Sequence, residues 1–138
     1  LAKEEFKSSQ NIADVTAYVS SLPMTEDNGK GAGGNVVLGE KLYGEICVSC
    51  HGANAMGNAE VGIPLLLSQH YSYILKQFKA IRSGDRGNAN PDMIAAVKGL
   101  NDDEIEAVLD YVSRIKPPAD RRSGKQNFAS FMDELKSH

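Results

Sequence analysis

The chain has no tryptophan, only two cysteines, and just 7% aromatic residues among its 138 positions. Two cysteines cannot build a disulfide-dense scaffold, so the fold must rest on an ordinary hydrophobic core, for which 41% hydrophobic residues suffice. No apolar run is long enough to span a bilayer as a helix. The start, LAKEEFKSSQ, lacks the basic, apolar and small-residue order of a secretion signal. The expectation is a soluble chain, already processed or excised from something longer, without membrane insertion. No strong charge of either sign is present: 15 Lys and Arg stand against 18 Asp and Glu, a net of −3. That balance gives no general pull toward nucleic acid or an anionic membrane.

What is present is helical. In residues 10–22 Ile12, Val15, Val19 and Leu22 recur at helical spacing until Pro23. TEDNGKGAGGN follows, polar and glycine-rich, and reads as a flexible linker. From Val36 the apolar positions Val37, Leu38, Leu42, Tyr43 and Ile46 predict a helix that runs into the cysteines, with Gly39 free for close helix contact. Residues 52–64 read as loop. Tyr71, Ile74, Leu75, Phe78 and Ile81 share one helix face that ends near Gly84. The stretch up to Leu100 is mostly irregular, with at most a helical turn over Met93–Val97. Asn101 and Glu104 then form a capping box ahead of the stripe Ile105, Val108, Leu109 and Val112, and Pro117-Pro118 ends that helix. In the tail, Phe128, Phe131, Met132 and Leu135 predict a short amphipathic helix, packed on its own domain or docking a partner. No strand pattern appears, so the fold class is all-α with long loops.

Both cysteines lie in EICVSCHG, at Cys47 and Cys50, followed at once by His51. A thioredoxin-like dithiol would need a preceding strand in a βαβ setting. Structural zinc would need four ligands, while the only histidines are His51, His70 and His138. Covalent haem accounts for all three residues: two thiols add to the two vinyl groups of one porphyrin, and the adjacent imidazole lies under the iron. A large flat apolar group would also fill a core short of aromatics. For the sixth iron position Met93, in NPDMIAA, is the best candidate, because it is far from His51 in sequence and its loop can bring sulfur to the opposite face. Met24, Met56, Met132 and His70 compete with it.

The stretches LYGEICVSCHG, IPLLLSQHYSYILKQFKAIRSGDR and NPDMIAAVKGLNDDEIEAVLDYVSRI together resemble a class I c-type cytochrome. They look most like one domain of the bacterial two-haem c-four kind, over residues 36–116. The resemblance implies helices wrapped around one haem c, thioether bonds at Cys47 and Cys50, and iron held by His51 and Met93. It implies that the Pro64 carbonyl accepts a hydrogen bond from the ligand imidazole, and that Arg82 lies near the haem propionates. Tyr73 and Gln77 match positions on the haem-side helix, while Gly39, Tyr43 and Tyr111 match the helix crossing. Leu67-Ser68 departs from the small residues usual after the proline. QNIADVTAYVSSLP is itself similar to DDEIEAVLDYVSRI, as if it were the last helix of a preceding haem domain. The expected organisation is therefore a helical extension and glycine-rich linker over 1–35, a cytochrome c domain over 36–116 and a tail over 117–138.

His/Met ligation closes both axial positions, which points to electron transfer rather than enzymatic chemistry. The resemblance implies redox proteins as partners and a bacterial periplasmic location, while the amphipathic N-terminal helix could pack on its own domain, pair in a homodimer or meet a neighbouring haem domain. Lys76, Lys79, Arg82 and Arg86 near one helix could orient docking. The competing readings are a haem relay inside a larger redox enzyme and a ligand-binding or peroxidase-type haem domain.

Overall fold

The computed structural model describes residues 9–122. The tail helix expected around Phe128 to Leu135 lies outside the described residues. The helices are α1 (Ser9–Ser21), α2 (Val36–Leu42), α3 (Val48–His51), α4 (Tyr71–Ser83), α5 (Pro91–Lys98), α6 (Asp102–Arg114) and α7 (Ala119–Arg122). A π-helical turn, Tyr43–Cys47, joins α2 to α3, and a 3₁₀ turn, Ala59–Val61, lies in the loop after α3. Among the described residues there is no strand, only an isolated bridge between Asn58 and Ile63.

Two compact units result, the larger being Thr25–Pro117. The described part of the smaller comprises 9–24 and 118–122, held by a hydrogen bond from the Met24 amide to the Arg121 carbonyl at 2.8 Å. Ile12, Val15 and Val19 of α1, and Leu22 just after it, are exposed.

Within the larger unit α6 is the central element. Asn101 accepts from the Glu104 amide and Glu104 accepts from the Asn101 amide, both at 2.9 Å, so the expected capping box forms. Ile105, Val108, Leu109 and Val112 are buried. α2 and α4 both pack on α6, and α4 also packs on α5. At the α2–α6 crossing a Cβ on Gly39 would collide with the Ala107 carbonyl, so only glycine lets the backbones approach this closely. The Tyr43 and Tyr111 rings meet beside it with centroids 5.6 Å apart.

Two segments differ from the sequence expectation. The glycine-rich stretch does not form a free linker; residues 25–35 run as a strap pinned to the larger unit. Asn28 donates its side-chain amide to the carbonyls of Gln69 at 3.0 Å and Ser113 at 2.8 Å, and Arg114 donates to the Gly31 carbonyl at 2.8 Å. The Gly33 amide donates to the buried Asp110 carboxylate. Long-range polar partners thus replace the apolar burial that the segment cannot make. The second difference is α5, a full helix where mostly irregular chain was expected. Asn90 caps it by accepting from the Asp92 amide at 2.8 Å, and Pro91 takes the first helical position, where its missing N–H costs nothing.

Candidate functional site

The larger unit encloses a cavity of about 720 Å³, a volume in the range that buries most of a cofactor-sized molecule. Cys47, Cys50 and His51 line it from the end of the π turn and α3, and Met93 reaches it from the first turn of α5. Phe78, Ile81, Leu100 and Val108 contribute to its apolar lining.

The route into the motif is a continuous helical path, as the apolar spacing suggested, but it widens locally. The Val48 amide bonds to the Tyr43 carbonyl, a π-type bond that takes in one extra residue just before the cysteines. Tyr43, Ile46, Cys47, Cys50 and His51 all reach the cavity from this path. Sequence periodicity carries no signal for such a turn.

His51 is buried, and its Nδ1 lies 3.0 Å from the Pro64 carbonyl oxygen. A carbonyl can only accept, so Nδ1 carries the proton and the lone pair is left on Nε2. Burial lowers the pKa of this imidazole, and the Pro64 bond opposes the shift in part, so the neutral ring is favoured. The loop that returns Pro64 to His51 is tightly built. The Gly57 amide donates to the His51 carbonyl at 2.9 Å, and Asn58 and Ile63 exchange two backbone bonds of 2.9 Å. A Cβ on Gly57, at φ 67, would strike the Ile63 and Pro64 carbonyls, so glycine is required where the loop folds over itself. The Leu66 and Leu67 amides, at 2.9 and 3.1 Å, close the loop on the carbonyl of Ala55, which is fully buried at φ 57. Leu67, one of the departures from the family pattern, is buried, and Ser68 takes φ 59 and donates its hydroxyl to the Thr25 carbonyl of the strap at 3.1 Å.

Burial, and secondarily the neighbouring Cys50, push the Cys47 thiol up to about 11. A dithiol redox pair needs the opposite shift, a thiol lowered toward neutrality. Among the described residues no three His, Cys, Asp or Glu side chains gather where they could hold a bare metal ion. The donor set of two thiols, one imidazole and one thioether around an apolar slot suits a porphyrin instead.

Tyr73 and Gln77, expected along the haem-side helix, both line the cavity. Arg82 is placed differently: its guanidinium pairs with Asp102, tying α4 to the start of α6, and it is not among the cavity-lining residues. Arg86, in the loop just past the end of α4, lines the cavity instead and donates from Nε to Asn88 at 3.3 Å. The first-turn carboxylate of α6 captures the nearer guanidinium, an interaction between separate helices that local sequence does not reveal. Tyr43, read from sequence as a packing residue, also lines the cavity, and its hydroxyl donates to the Gly52 carbonyl at 2.6 Å.

The family model for cytochrome c matches residues 36–116, more than half of the chain. The chain belongs to the cytochrome c family. A cytochrome c4 of Azotobacter vinelandii is 33% identical over 115 residues, covering 76% of this chain and 54% of the relative. A thiosulfate dehydrogenase electron acceptor of Stutzerimonas stutzeri is 36% identical over 88 residues, covering 58% of this chain and 40% of the relative. The crystal structure of reduced recombinant cytochrome c4 from Pseudomonas stutzeri superposes with a TM-score of 0.63 at 31% identity, over 80% of this chain and 62% of that one. The chain thus spans about half the length of the cytochrome c4 relatives it matches. The fold is that of a class I cytochrome c close to the c4 kind, and a cytochrome c domain carries covalent haem c with its iron. The cavity fits that group: it has the volume, the apolar lining, and the Cys-x-x-Cys-His residues in its wall.

Proposed function

We propose that this domain is a one-electron carrier in which Cys47 and Cys50 hold the haem by thioether bonds and His51 and Met93 are its axial ligands. The observation that carries the reading is the convergence of these four side chains, from the π turn, α3 and the distant α5, on one apolar cavity. When bound, the haem supplies a centre that takes up and releases a single electron. The protein's own contribution is to hold the imidazole neutral with Nε2 free, to present a thioether that favours the reduced state, and to exclude water with an apolar wall. Two protein ligands leave no axial position for a substrate, which favours a carrier over an enzyme.

The partners in this reading are redox proteins that dock through weak contacts of modest area. Val61 and Tyr73 line the cavity while remaining exposed, and offer an apolar edge for such contacts. The bacterial periplasm is the proposed location, because covalent haem attachment of this type takes place outside the cytoplasm in the family the sequence resembles. No helix among the described residues is long and apolar enough to cross a membrane. For the domain plan, residues 36–116 carry the haem and α1 is the closing helix of a preceding haem domain. The match between Ile12, Val15, Tyr18 and Val19 and Ile105, Val108, Tyr111 and Val112, together with relatives about twice as long as the matched segment, supports that plan.

Mass spectrometry and one optical titration test the proposal. The natively matured protein is expected to retain haem mass after denaturation, and its oxidised form to show a weak methionine-to-iron band that vanishes in Met93→Ala. A polypeptide mass alone would sink the haem attachment, and a band that persists in Met93→Ala would place the sixth ligand elsewhere.

A further inference from the structure

Tyr43 precedes the Cys-x-x-Cys-His motif and is 2% exposed, with its ring packed on Tyr111. Packing alone would be served by phenylalanine. The hydroxyl instead donates to the carbonyl of Gly52, the residue directly after His51, across a span of nine residues. Gly52 sits at φ 82 and ψ 163 and has no side chain, so its peptide is oriented only by what bonds to it. The other bond to its carbonyl is the longer one from the Ala55 amide, at 3.2 Å, while the Gly52 amide donates back to the Val48 carbonyl at 2.9 Å. From Gly52 the chain turns through Gly57, whose amide holds the His51 carbonyl, and comes back to place the Pro64 oxygen 3.0 Å from His51 Nδ1. The loop therefore leaves His51 and returns to the ring of the same residue. Tyr43 anchors its start to the helical path that carries the cysteines.

We infer that the Tyr43 hydroxyl is a positioning group for the His51 imidazole, acting through the Gly52–Pro64 loop. The inference rests on the reading of His51 as an axial ligand and deepens it. An imidazole held firmly by the Pro64 carbonyl is a stronger donor to oxidised iron, so loosening that bond favours the reduced state. Tyr43 thus sets ligand basicity without touching the ligand ring.

Tyr43→Phe in the matured holoprotein tests this, with Tyr111→Phe as the control that keeps both rings and the Tyr43 hydroxyl. In Tyr43→Phe the His51 Nδ1–H proton is expected to exchange roughly fivefold to tenfold faster, the factor one ordinary hydrogen bond is worth. The reduction potential is expected to move upward. Tyr111→Phe should move neither. Unchanged exchange and potential in Tyr43→Phe overturn the inference, and so do equal shifts in Tyr111→Phe, which would assign the effect to ring packing. A wild-type spectrum without histidine-ligated haem removes the axial-ligand reading and this inference with it, whereas a normal wild-type spectrum with an unresponsive Tyr43→Phe removes only the inference. If Tyr43→Phe does not mature, the wild type still decides: the Tyr43 hydroxyl proton and the His51 Nδ1–H are expected to open together in mild denaturant. A freely exchanging hydroxyl beside a protected Nδ1–H overturns the inference.

Discussion

Helices α1 and α6 carry Ile, Val, Tyr and Val at matching positions, yet Ile12, Val15 and Val19 are 54%, 45% and 58% exposed while Ile105, Val108 and Val112 are each 1% exposed. The spacing is the same, and both segments form helices of thirteen residues. The difference lies in what each stripe meets. α6 lies against α2 and α4, where burying each aliphatic side chain contributes about 1.5–3 kcal/mol. Periodicity makes an amphipathic helix; a complementary surface makes a core.

The comparison can be broken or sharpened by paired substitutions read out as melting of the haem domain. The largest effect is expected from Val108→Asp, which puts an unpaired charge among buried aliphatic groups; loss of more than about 4 kcal/mol, enough to unfold the domain, should appear as failure to retain a native haem spectrum. Ile105→Ala is expected to cost about 2–5 kcal/mol in denaturant unfolding. Alkaline titration reports the crossing beside these residues. Burial first, and nearby Cys47 and Tyr111 second, push Tyr43 up to about 12 from an ordinary 10.0. Between those values the unfolded chain gives up the proton while the folded chain keeps it, so stability is intact below pH 10 and falls as pH rises toward 12. The loss should be about 1–2 kcal/mol, reduced from the full shift because a thioether-linked Cys47 bears no charge, and Tyr43→Phe should remove that component. Asn101→Ala deletes the N-cap of α6 and should cost about 1 kcal/mol. The smallest effect belongs to α1: Val15→Asp and Ile12→Ala should each change haem-domain stability by less than about 0.5 kcal/mol. Equal losses from Val15→Asp and Val108→Asp would erase the contrast between the helices.

Much of the fold was legible because its signals are local. The Asn101 and Glu104 box, the α6 stripe, the α4 face closing at Gly84 and the close approach at Gly39 are each written within a few residues. The capping of α5 is equally local, in Asn90-Pro91-Asp92, but the turn-rich composition around it masks the helical period. For the candidate site, the motif pointed to the wall that holds Cys47, Cys50 and His51, and the family resemblance pointed to Pro64 and Met93. The strap was not legible, since a polar glycine-rich segment is indistinguishable from a free linker until Asn28 finds the Gln69 and Ser113 carbonyls. Nor was the exchange of Arg82 for Arg86 at the cavity, which depends on Asp102 arriving beside α4.

The sequence by itself determined that this protein is helical, where its main helices begin and end, and that Cys47, Cys50 and His51 stand in the Cys-x-x-Cys-His pattern characteristic of its family. These follow from backbone propensity, side-chain period and the chemistry of thiol and imidazole, all of which act over a few residues. Only the tertiary structure decided which of two matching stripes is buried, that the glycine-rich segment is held, and that the Tyr43 hydroxyl reaches the peptide after His51. Those outcomes depend on surfaces and hydrogen-bond partners that the chain brings together from far apart, and no local pattern contains the geometry of a distant carbonyl.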